Sequence, residues 1–275
     1  MTLCNIIWDV NPVWFDIGGF ISIRPYSILF IIGLSLGYWY VKRMYKIENK
    51  SEPQLEVMAL YIFLGVVLGA RLGHCLFYDF EYYSSHPIEI FLPVEIKEGS
   101  FKITGYQGLA SHGGALGVLI ATAIYCYRYK INYLNEVDKI AIVAPLTGAF
   151  IRLGNLMNSE IIGKPTDLPF AFVFVRVDEL SRHPSQLYES ISYFLIFIIL
   201  WFTYKKNGAN YFPGFYTGLS ITSIFLARFI IEFTKEHQVD FEQMLPLDMG
   251  QLLSIPFIFT GLVLIISKWK RKPLT

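Results

Sequence analysis

Long apolar stretches alternate with short polar ones along most of this chain. A helix that crosses a membrane needs about 20 mostly apolar residues, and seven segments approach or exceed that length. The first segment is short, and residues 17–23 before it are expected to lie in the membrane interface. The pattern predicts seven transmembrane helices, roughly at 26–41, 55–78, 108–127, 137–157, 184–204, 213–233 and 249–267.

Composition supports an integral membrane protein and argues against a soluble enzyme. Of the 275 residues, 54% are hydrophobic and only 16% are charged, whereas a soluble domain carries about 25% charged residues. The net charge of +1 gives no basic excess for binding nucleic acid. Neither an internal repeat nor a low-complexity linker is visible, so residues 1–275 are predicted to form a single all-α membrane domain.

The distribution of basic residues predicts the orientation. If the N-terminus is outside, most of the 23 lysines and arginines fall in cytoplasmic segments, including the run Lys268, Lys270, Arg271 and Lys272. The prediction is therefore N-out and C-in, with a small extracytoplasmic loop region that includes a strand or lid within 167–182. Asp9 and Asp16 interrupt the first apolar run, so no cleavable signal peptide is expected.

Several charged and polar side chains lie within or next to the apolar segments, where charge is costly and usually functional. In the predicted topology nearly all of them face the extracytoplasmic side. They are Arg71, His74, His112, Arg152, Asn155, Asn158, Glu160, His183, Gln186, Glu189, Arg228 and Glu232. Asp138 lies toward the cytoplasmic side instead, and an N-cap or first-turn carboxylate is the preferred reading there.

Each of these residues also has a purely structural interpretation. Arg228 and Glu232 are four residues apart and could form an internal ion pair. His112, among glycines, could be a buried histidine bonded to a carbonyl, with the small residues easing helix contact. His183 and Pro184 could simply form a loop-to-helix junction, and Arg71 could serve as an interfacial anchor.

Together, the polar residues favour a site for a phosphate group. The planar guanidinium of arginine matches phosphate oxygens and keeps its charge when buried, and histidine exchanges protons near neutral pH. The sequence carries neither the ligand set of a catalytic zinc site nor a Gly-x-Ser-x-Gly motif. A phospholipid is therefore the expected substrate class, and no metal or other cofactor is expected.

The segment from Arg152 to Gly163, Arg-Leu-Gly-Asn-Leu-Met-Asn-Ser-Glu-Ile-Ile-Gly, resembles the signature of prolipoprotein diacylglyceryl transferases. The resemblance covers nearly the whole chain, because other family-like stretches occur in the family's order. They are Arg-Pro-Tyr at 24–26, Gly-Ala-Arg-Leu-Gly at 69–73, Ser-His-Gly-Gly at 111–114, Arg-His-Pro-Ser-Gln-Leu-Tyr-Glu at 182–189, Arg-Phe-Ile-Ile-Glu at 228–232 and Met-Gly-Gln at 249–251.

The resemblance implies a bacterial inner-membrane enzyme with seven spans. Such an enzyme transfers the diacylglyceryl group of phosphatidylglycerol to the lipobox cysteine of a prolipoprotein and releases glycerol 1-phosphate. The resemblance implies functional roles for the residues that match the family's motifs, which are Tyr26, His112, Arg152, Asn155, Glu160, Gly163, Arg228 and Glu232. Asn158 is expected to contact the lipid as well. Secondary candidates are Arg71, Asp138 and His183.

The chain also departs from the family pattern. Ile151 and Leu156 replace a Gly and a Phe of the signature, and Ile224 stands where the family often has Tyr. Lys235 stands near a common arginine, which keeps the charge but loses the planar fork.

The mechanism expected from this resemblance places the lipid phosphate on Arg152 and Arg228, with Glu160 and Glu232 orienting the arginines. Asn155, Asn158 and Tyr26 add neutral hydrogen bonds, and His112 is the candidate base for the cysteine thiol. Two other classes remain open from the sequence: a transporter or channel with a buried Arg/Glu/His pathway, and a structural lipid-binding protein.

Overall fold

The computed structural model describes residues 5–17, 21–92, 94–97, 100–103, 108–236 and 246–269. Within these ranges the chain is mainly helical. The helices are α1 (Pro25–Ile47), α2 (Glu52–Phe77), α3 (Phe80–Ser85), α4 (Pro87–Phe91), α5 (Ser111–Tyr129), α6 (Tyr133–Asn158), α7 (Ser185–Asn207), α8 (Phe215–Glu232) and α9 (Met249–Trp269).

Each of the seven predicted apolar segments coincides with one long helix. Five of these helices are long and apolar enough to cross a membrane: α2, α6, α7, α8 and the Met249–Ser267 part of α9. Large apolar side chains face outward from them, as Phe63 in α2 and Phe259 in α9 do with 63% and 68% exposure. A multi-pass membrane protein is thus supported, while the count of seven spans and the N-out orientation stay predictions. Of the basic run used for orientation, Lys270, Arg271 and Lys272 lie outside the described residues.

Short strands precede α1 and lie in two of the connections between later helices. They are β1 (Ile6–Trp8), β2 (Phe15–Ile17), β3 (Ile21–Ile23), β4 (Val94–Lys97), β5 (Ser100–Ile103), β6 (Phe172–Phe174) and β7 (Ser181–Arg182). Strands β2 and β3 pair as antiparallel neighbours in the stretch predicted to be interfacial, and β4 pairs with β5. The predicted strand within 167–182 is confirmed by β6 and β7.

The largest sheet has the order β1-β6-β7, parallel at the first pairing and antiparallel at the second. It covers the end of α6 through a small core of Leu156, Phe172 and Phe174, against which Trp8 packs. The Trp8 indole Nε1 donates a hydrogen bond to the Leu156 carbonyl at 2.9 Å. This carbonyl lies in the last turn of α6, where carbonyls lack intrahelical partners, and it also accepts from the Ser159 N–H at 3.1 Å.

Contacts divide the chain into two compact units: unit 1 comprises Met1–Glu48 and Asp138–Thr275, and unit 2 comprises Asn49–Val137. In unit 2, α2 and α5 pack through facing glycines. A Cβ added to Gly69 would lie 2.9 Å from the Gly117 Cα, so only glycine permits this approach. The prediction that the glycines beside His112 ease helix contact is confirmed.

Arg71 and His74 project from the same face of α2, since both contact the ring of Tyr83. The Arg71 guanidinium is buried and donates hydrogen bonds to the Glu89 carbonyl at 2.5 Å and the Ile90 carbonyl at 3.1 Å. Arg71 therefore fastens α4 to α2, a structural role within unit 2.

In unit 1, Asp138 caps a helix other than its own. Its carboxylate accepts hydrogen bonds from the Gly214 N–H at 2.8 Å and from the Thr217 N–H at 2.7 Å, at the start of α8. Asp138 was predicted to be an N-cap or first-turn carboxylate of its own helix, and that prediction was wrong. It caps α8 instead, where the N–H groups of Gly214 and Thr217 and the Thr217 hydroxyl together offer three donors.

Candidate functional site

A buried ion pair anchors Arg152 near the end of α6. Arg152 Nε lies 2.8 Å from Glu189 Oε2, and the Glu189 side chain is fully buried. Arg152 Nη1 also donates a hydrogen bond to Asn155 Oδ1 at 3.1 Å. The two contacts fix the plane of the guanidinium, because they engage two of its nitrogens at once.

A chain of hydrogen bonds runs from Arg152 through the family-like signature. Asn155 Nδ2 donates to Glu160 Oε2 at 3.0 Å, and Asn158 Nδ2 donates to Glu160 Oε1 at 3.1 Å. The Gln186 side chain donates to the Glu160 backbone carbonyl at 2.5 Å. Glu160 therefore acts on Arg152 through Asn155, and the carboxylate that touches Arg152 is Glu189.

The backbone that follows α6 is bent back by two left-handed residues. Ser159 and Ile161 have φ values of 56° and 57°, and this conformation is unusual for a β-branched residue. The bend returns Glu160 to the side chains of α6 and leads into Gly163, whose N–H donates to the His183 carbonyl at 3.0 Å. A Cβ at Gly163 would lie 2.7 Å from Ser185 Oγ, so the signature glycine is required by close packing.

Lys235 lies between two glutamates. Its Nζ is 3.0 Å from Glu189 Oε1 and 2.9 Å from Glu232 Oε2, and the residue is only 2% exposed. Gly250 lies against the Glu232 carboxylate, since a Cβ there would be 2.6 Å from Glu232 Oε2. The family-like Met-Gly-Gln stretch thus leaves room for this carboxylate.

Arg228 is not paired with Glu232. Over the part of the chain that the structure describes, Arg228 makes no ion pair, and its side chain is partly exposed. The charges of Arg228 and Arg152 both act on the hydroxyl of the buried Tyr193, whose ring packs on Gly148 of α6. Both arginines therefore lie near Tyr193. The Arg228–Glu232 ion pair, left open as a structural alternative, is absent from the described residues, and Glu232 contacts Lys235 instead of orienting an arginine as the expected mechanism had it.

Tyr26 begins α1 and packs on the signature segment. A Cβ at Gly154 would lie 2.6 Å from the Tyr26 ring, so the missing side chain lets the ring lie against α6. The hydroxyl is within electrostatic reach of Glu160 and Arg152. This places Tyr26 beside the same cluster.

His183 and Arg182 join the loops around the cluster. His183 precedes the Pro184 N-cap of α7, as the junction interpretation predicted, and its Nδ1 lies 3.3 Å from the Tyr188 hydroxyl. Partial burial lowers the pKa of His183.

Arg182 donates to the Gly163 carbonyl at 3.1 Å and to Glu236 at 2.6 Å. Its hydrogen bonds to Asp178 lower the pKa of that carboxyl and raise the pKa of the guanidinium.

His112 belongs to unit 2, where it lies in the first turn of α5 and is exposed. The interpretation of His112 as a buried histidine bonded to a carbonyl is therefore wrong. Its proposed role as a base stays a prediction.

No site role was assigned from the sequence to three members of the cluster, which are Glu189, Tyr193 and Lys235. Glu189 belongs to a family-like stretch and opens α7, and Lys235 was noted only as a departure from an arginine. Tyr193 gave no signal, because a tyrosine in an apolar helix is usually an interfacial residue. For Glu189, the available signal was a carboxylate within an apolar segment.

The fold and the cluster define a multi-pass membrane protein with an arginine–carboxylate site near the ends of its helices. The chain belongs to the prolipoprotein diacylglyceryl transferase family, whose model matches residues 12–267. It is 49% identical to the phosphatidylglycerol–prolipoprotein diacylglyceryl transferase of Bacteroides fragilis over 98% of both chains. Proteins of the same name are 43% identical in Tolumonas auensis (97% of this chain, 99% of the relative) and 44% identical in Chloroherpeton thalassium (99% and 98%).

Proposed function

We propose that this chain is a phosphatidylglycerol–prolipoprotein diacylglyceryl transferase. The observation that carries the proposal is near full-length identity of 49% to a relative of that name. The matched polar residues of the signature also lie in one cluster, in which Asn155 hydrogen-bonds to Arg152 and Glu160 and Arg152 is ion-paired with Glu189. Family membership favours this activity over a transporter or channel.

The proposed reaction moves a diacylglyceryl group from phosphatidylglycerol to the lipobox cysteine of a prolipoprotein. The cysteine thiolate attacks the glyceryl carbon that carries the phosphate, so a carbon–sulfur bond forms and the carbon–oxygen bond breaks. The electron pair of the broken bond stays on the phosphate oxygen, and glycerol 1-phosphate leaves. The thiol proton passes to a base, for which His112 is our candidate.

Arg152 and Arg228 are the proposed phosphate ligands. Charge grows on the phosphate as the bond breaks, and preorganised donors aimed at that charge lower the barrier. Arg152 is preorganised by Glu189 and Asn155, whereas Arg228 has no carboxylate partner within the described ranges. Tyr26, Asn155 and Asn158 would add neutral hydrogen bonds to the headgroup.

The proposed setting is the bacterial inner membrane. We infer seven spans with the N-terminus outside and the C-terminus inside, which puts the signature segment on the extracytoplasmic side, and we infer that the chain acts as one membrane domain. Five sufficiently apolar helices support the membrane setting. The distribution of lysine and arginine supports the orientation.

Reconstitution tests the proposal. The purified chain is placed in phosphatidylglycerol vesicles with a lipobox peptide, and products are measured by mass spectrometry. The expected result is a peptide heavier by one diacylglyceryl group, with an equal amount of released glycerol phosphate. A peptide with serine in place of the cysteine is the matched control. Lipid binding without product would favour the lipid-binding alternative, and solute flux without product would favour the transporter.

A further inference from the structure

Lys235 contacts two of the three carboxylates of the cluster. Its ammonium is 3.0 Å from Glu189 and 2.9 Å from Glu232. The third carboxylate, Glu160, is held by the amides of Asn155 and Asn158. Each glutamate of the cluster therefore has a partner other than Arg228.

The position of Lys235 is fixed by the backbone as well as by charge. Lys235 forms an antiparallel bridge with Gly163, in which the Lys164 N–H donates to the Thr234 carbonyl at 2.8 Å. The Glu236 N–H completes the bridge by donating to the Ile162 carbonyl at 3.2 Å. The lysine is thus held at the end of α8 by the same loop that carries the signature.

Without Lys235, the spacing on α8 would favour a different ion pair. Arg228 and Glu232 are four residues apart on one helix, the separation at which opposite charges attract. A buried carboxylate that loses its partner is strongly destabilised unless it finds another cation. Arg228 is the nearest such cation in sequence.

We propose that Lys235 is a positioning residue that keeps Arg228 available for the lipid phosphate. By engaging Glu189 and Glu232 together, it supports the orientation of Arg152 and prevents Glu232 from capturing Arg228. This inference rests on the proposed function for its reaction, but its direct consequence is binding of phosphatidylglycerol. Lys235 itself need not touch the substrate.

The test compares four variants with the wild-type chain in phosphatidylglycerol vesicles diluted with a neutral lipid. Lys235→Met removes the charge and keeps the length of the side chain. It should raise the KM for phosphatidylglycerol about ten- to a hundredfold, the loss expected for one charge-assisted contact. Lys235→Arg keeps the charge and should stay within about threefold of wild type.

The decisive variant is Lys235→Met combined with Glu232→Gln. It removes one charge of each sign, so Glu232 can no longer capture Arg228, while Glu189 keeps Arg152 as its partner. The KM should therefore return toward the wild-type value. A merely structural lysine predicts the opposite, because two lost partners disturb packing more than one. Should the single variant fail to fold, the double variant still decides: near-normal lipid binding supports the inference, and a raised KM or a failure to fold overturns it.

Lys139→Met is the matched control, since Lys139 is also buried and pairs with Glu48 at 3.0 Å. It lies 13 residues before Arg152, about 20 Å along α6 at the usual helical rise. This variant should lower thermal stability without changing the KM for phosphatidylglycerol; an equal rise in KM would overturn the inference.

Binding of a fluorescent phosphatidylglycerol analogue is measured in parallel without peptide. A wild-type chain that forms no thioether would contradict the proposed function, while the binding series would still report on Lys235. Thioether formation by wild type, together with unchanged lipid binding in Lys235→Met, would contradict only the inference about Lys235.

Discussion

Asp138 and Thr217 are joined by two hydrogen bonds across 79 residues of sequence. Asp138 Oδ1 accepts from the Thr217 N–H at 2.7 Å and from the Thr217 hydroxyl at 2.6 Å. The contact fixes the start of α8, the helix that carries Arg228 and Glu232 at its other end. Asp138 contacts the end of α8 that is opposite to the site, and it can therefore affect the site by holding α8 in place.

Replacing Asp138 by Ala should destabilise the protein. A lost helix cap costs about 1–2 kcal/mol, and the upper part of this range is expected because the carboxylate is buried and accepts three hydrogen bonds. The measurement is the unfolding midpoint in detergent. Asp138→Asn keeps one acceptor oxygen and should give an intermediate loss; an Ala variant as stable as wild type would contradict the capping role.

Replacing Arg152 by Lys should nearly abolish transfer while leaving the protein in the membrane. A lysine ammonium cannot contact Glu189 and Asn155 and still present a planar fork to phosphate oxygens. Thioether formation per inserted protein is the readout. Arg43→Lys, at an exposed arginine over the Trp39 ring, is the control and should keep normal turnover. Near-normal activity of the Arg152 variant would mean that a point charge suffices.

Replacing His112 by Gln tests the proposed base. If His112 accepts the thiol proton, the rate at saturating lipid should fall about 10²–10⁴-fold. It should recover in part as the pH rises toward the ordinary pKa of a thiol, about 8.5. Lipid binding should be unchanged. A deficit that is the same at every pH, or one that appears in lipid binding instead, would refute the assignment as base.

Stability should fall between pH 8 and pH 5.5 because of His183. Burial lowers the pKa of His183 in the folded state, so the folded protein binds a proton less readily than the unfolded chain. Stability is therefore complete above the unfolded pKa of about 6.5 and declines as the pH falls below it. Asp178 stays charged in this window, since Arg182 lowers its pKa.

The check is the difference between unfolding midpoints at the two pH values. His183→Gln should reduce this difference, because glutamine does not titrate. An equal difference in the variant and in wild type would assign the pH dependence to other groups.

Hydropathy and local motifs predicted much of this molecule. The long helices follow from runs of apolar residues, and the signature segment marks Arg152, Asn155 and Glu160, whose side chains contact one another within nine residues. Contacts of this kind are local, so spacing along one helix end largely determines them.

The partners that cross between helices could not be predicted in the same way. Glu189 reaches Arg152 from α7, and Lys235 reaches both Glu189 and Glu232 from beyond α8. Spacing alone left open an ion pair between Arg228 and Glu232, because residues four apart are neighbours on a helix. The bridge between Lys235 and Gly163 instead holds the lysine beside both glutamates.

The order of charges along the chain has a consequence for biosynthesis. Arg152 enters with α6, and its counter-ion Glu189 follows in the second turn of α7, so the charge of Arg152 is balanced once these two helices are inserted. Arg228, Glu232 and Lys235 emerge from the ribosome together within eight residues. Since uncompensated charge is costly within a membrane, Arg152 lacks its counter-ion only until α7 has been made. The last three residues then add one net positive charge, which balances the additional negative charge of Glu160.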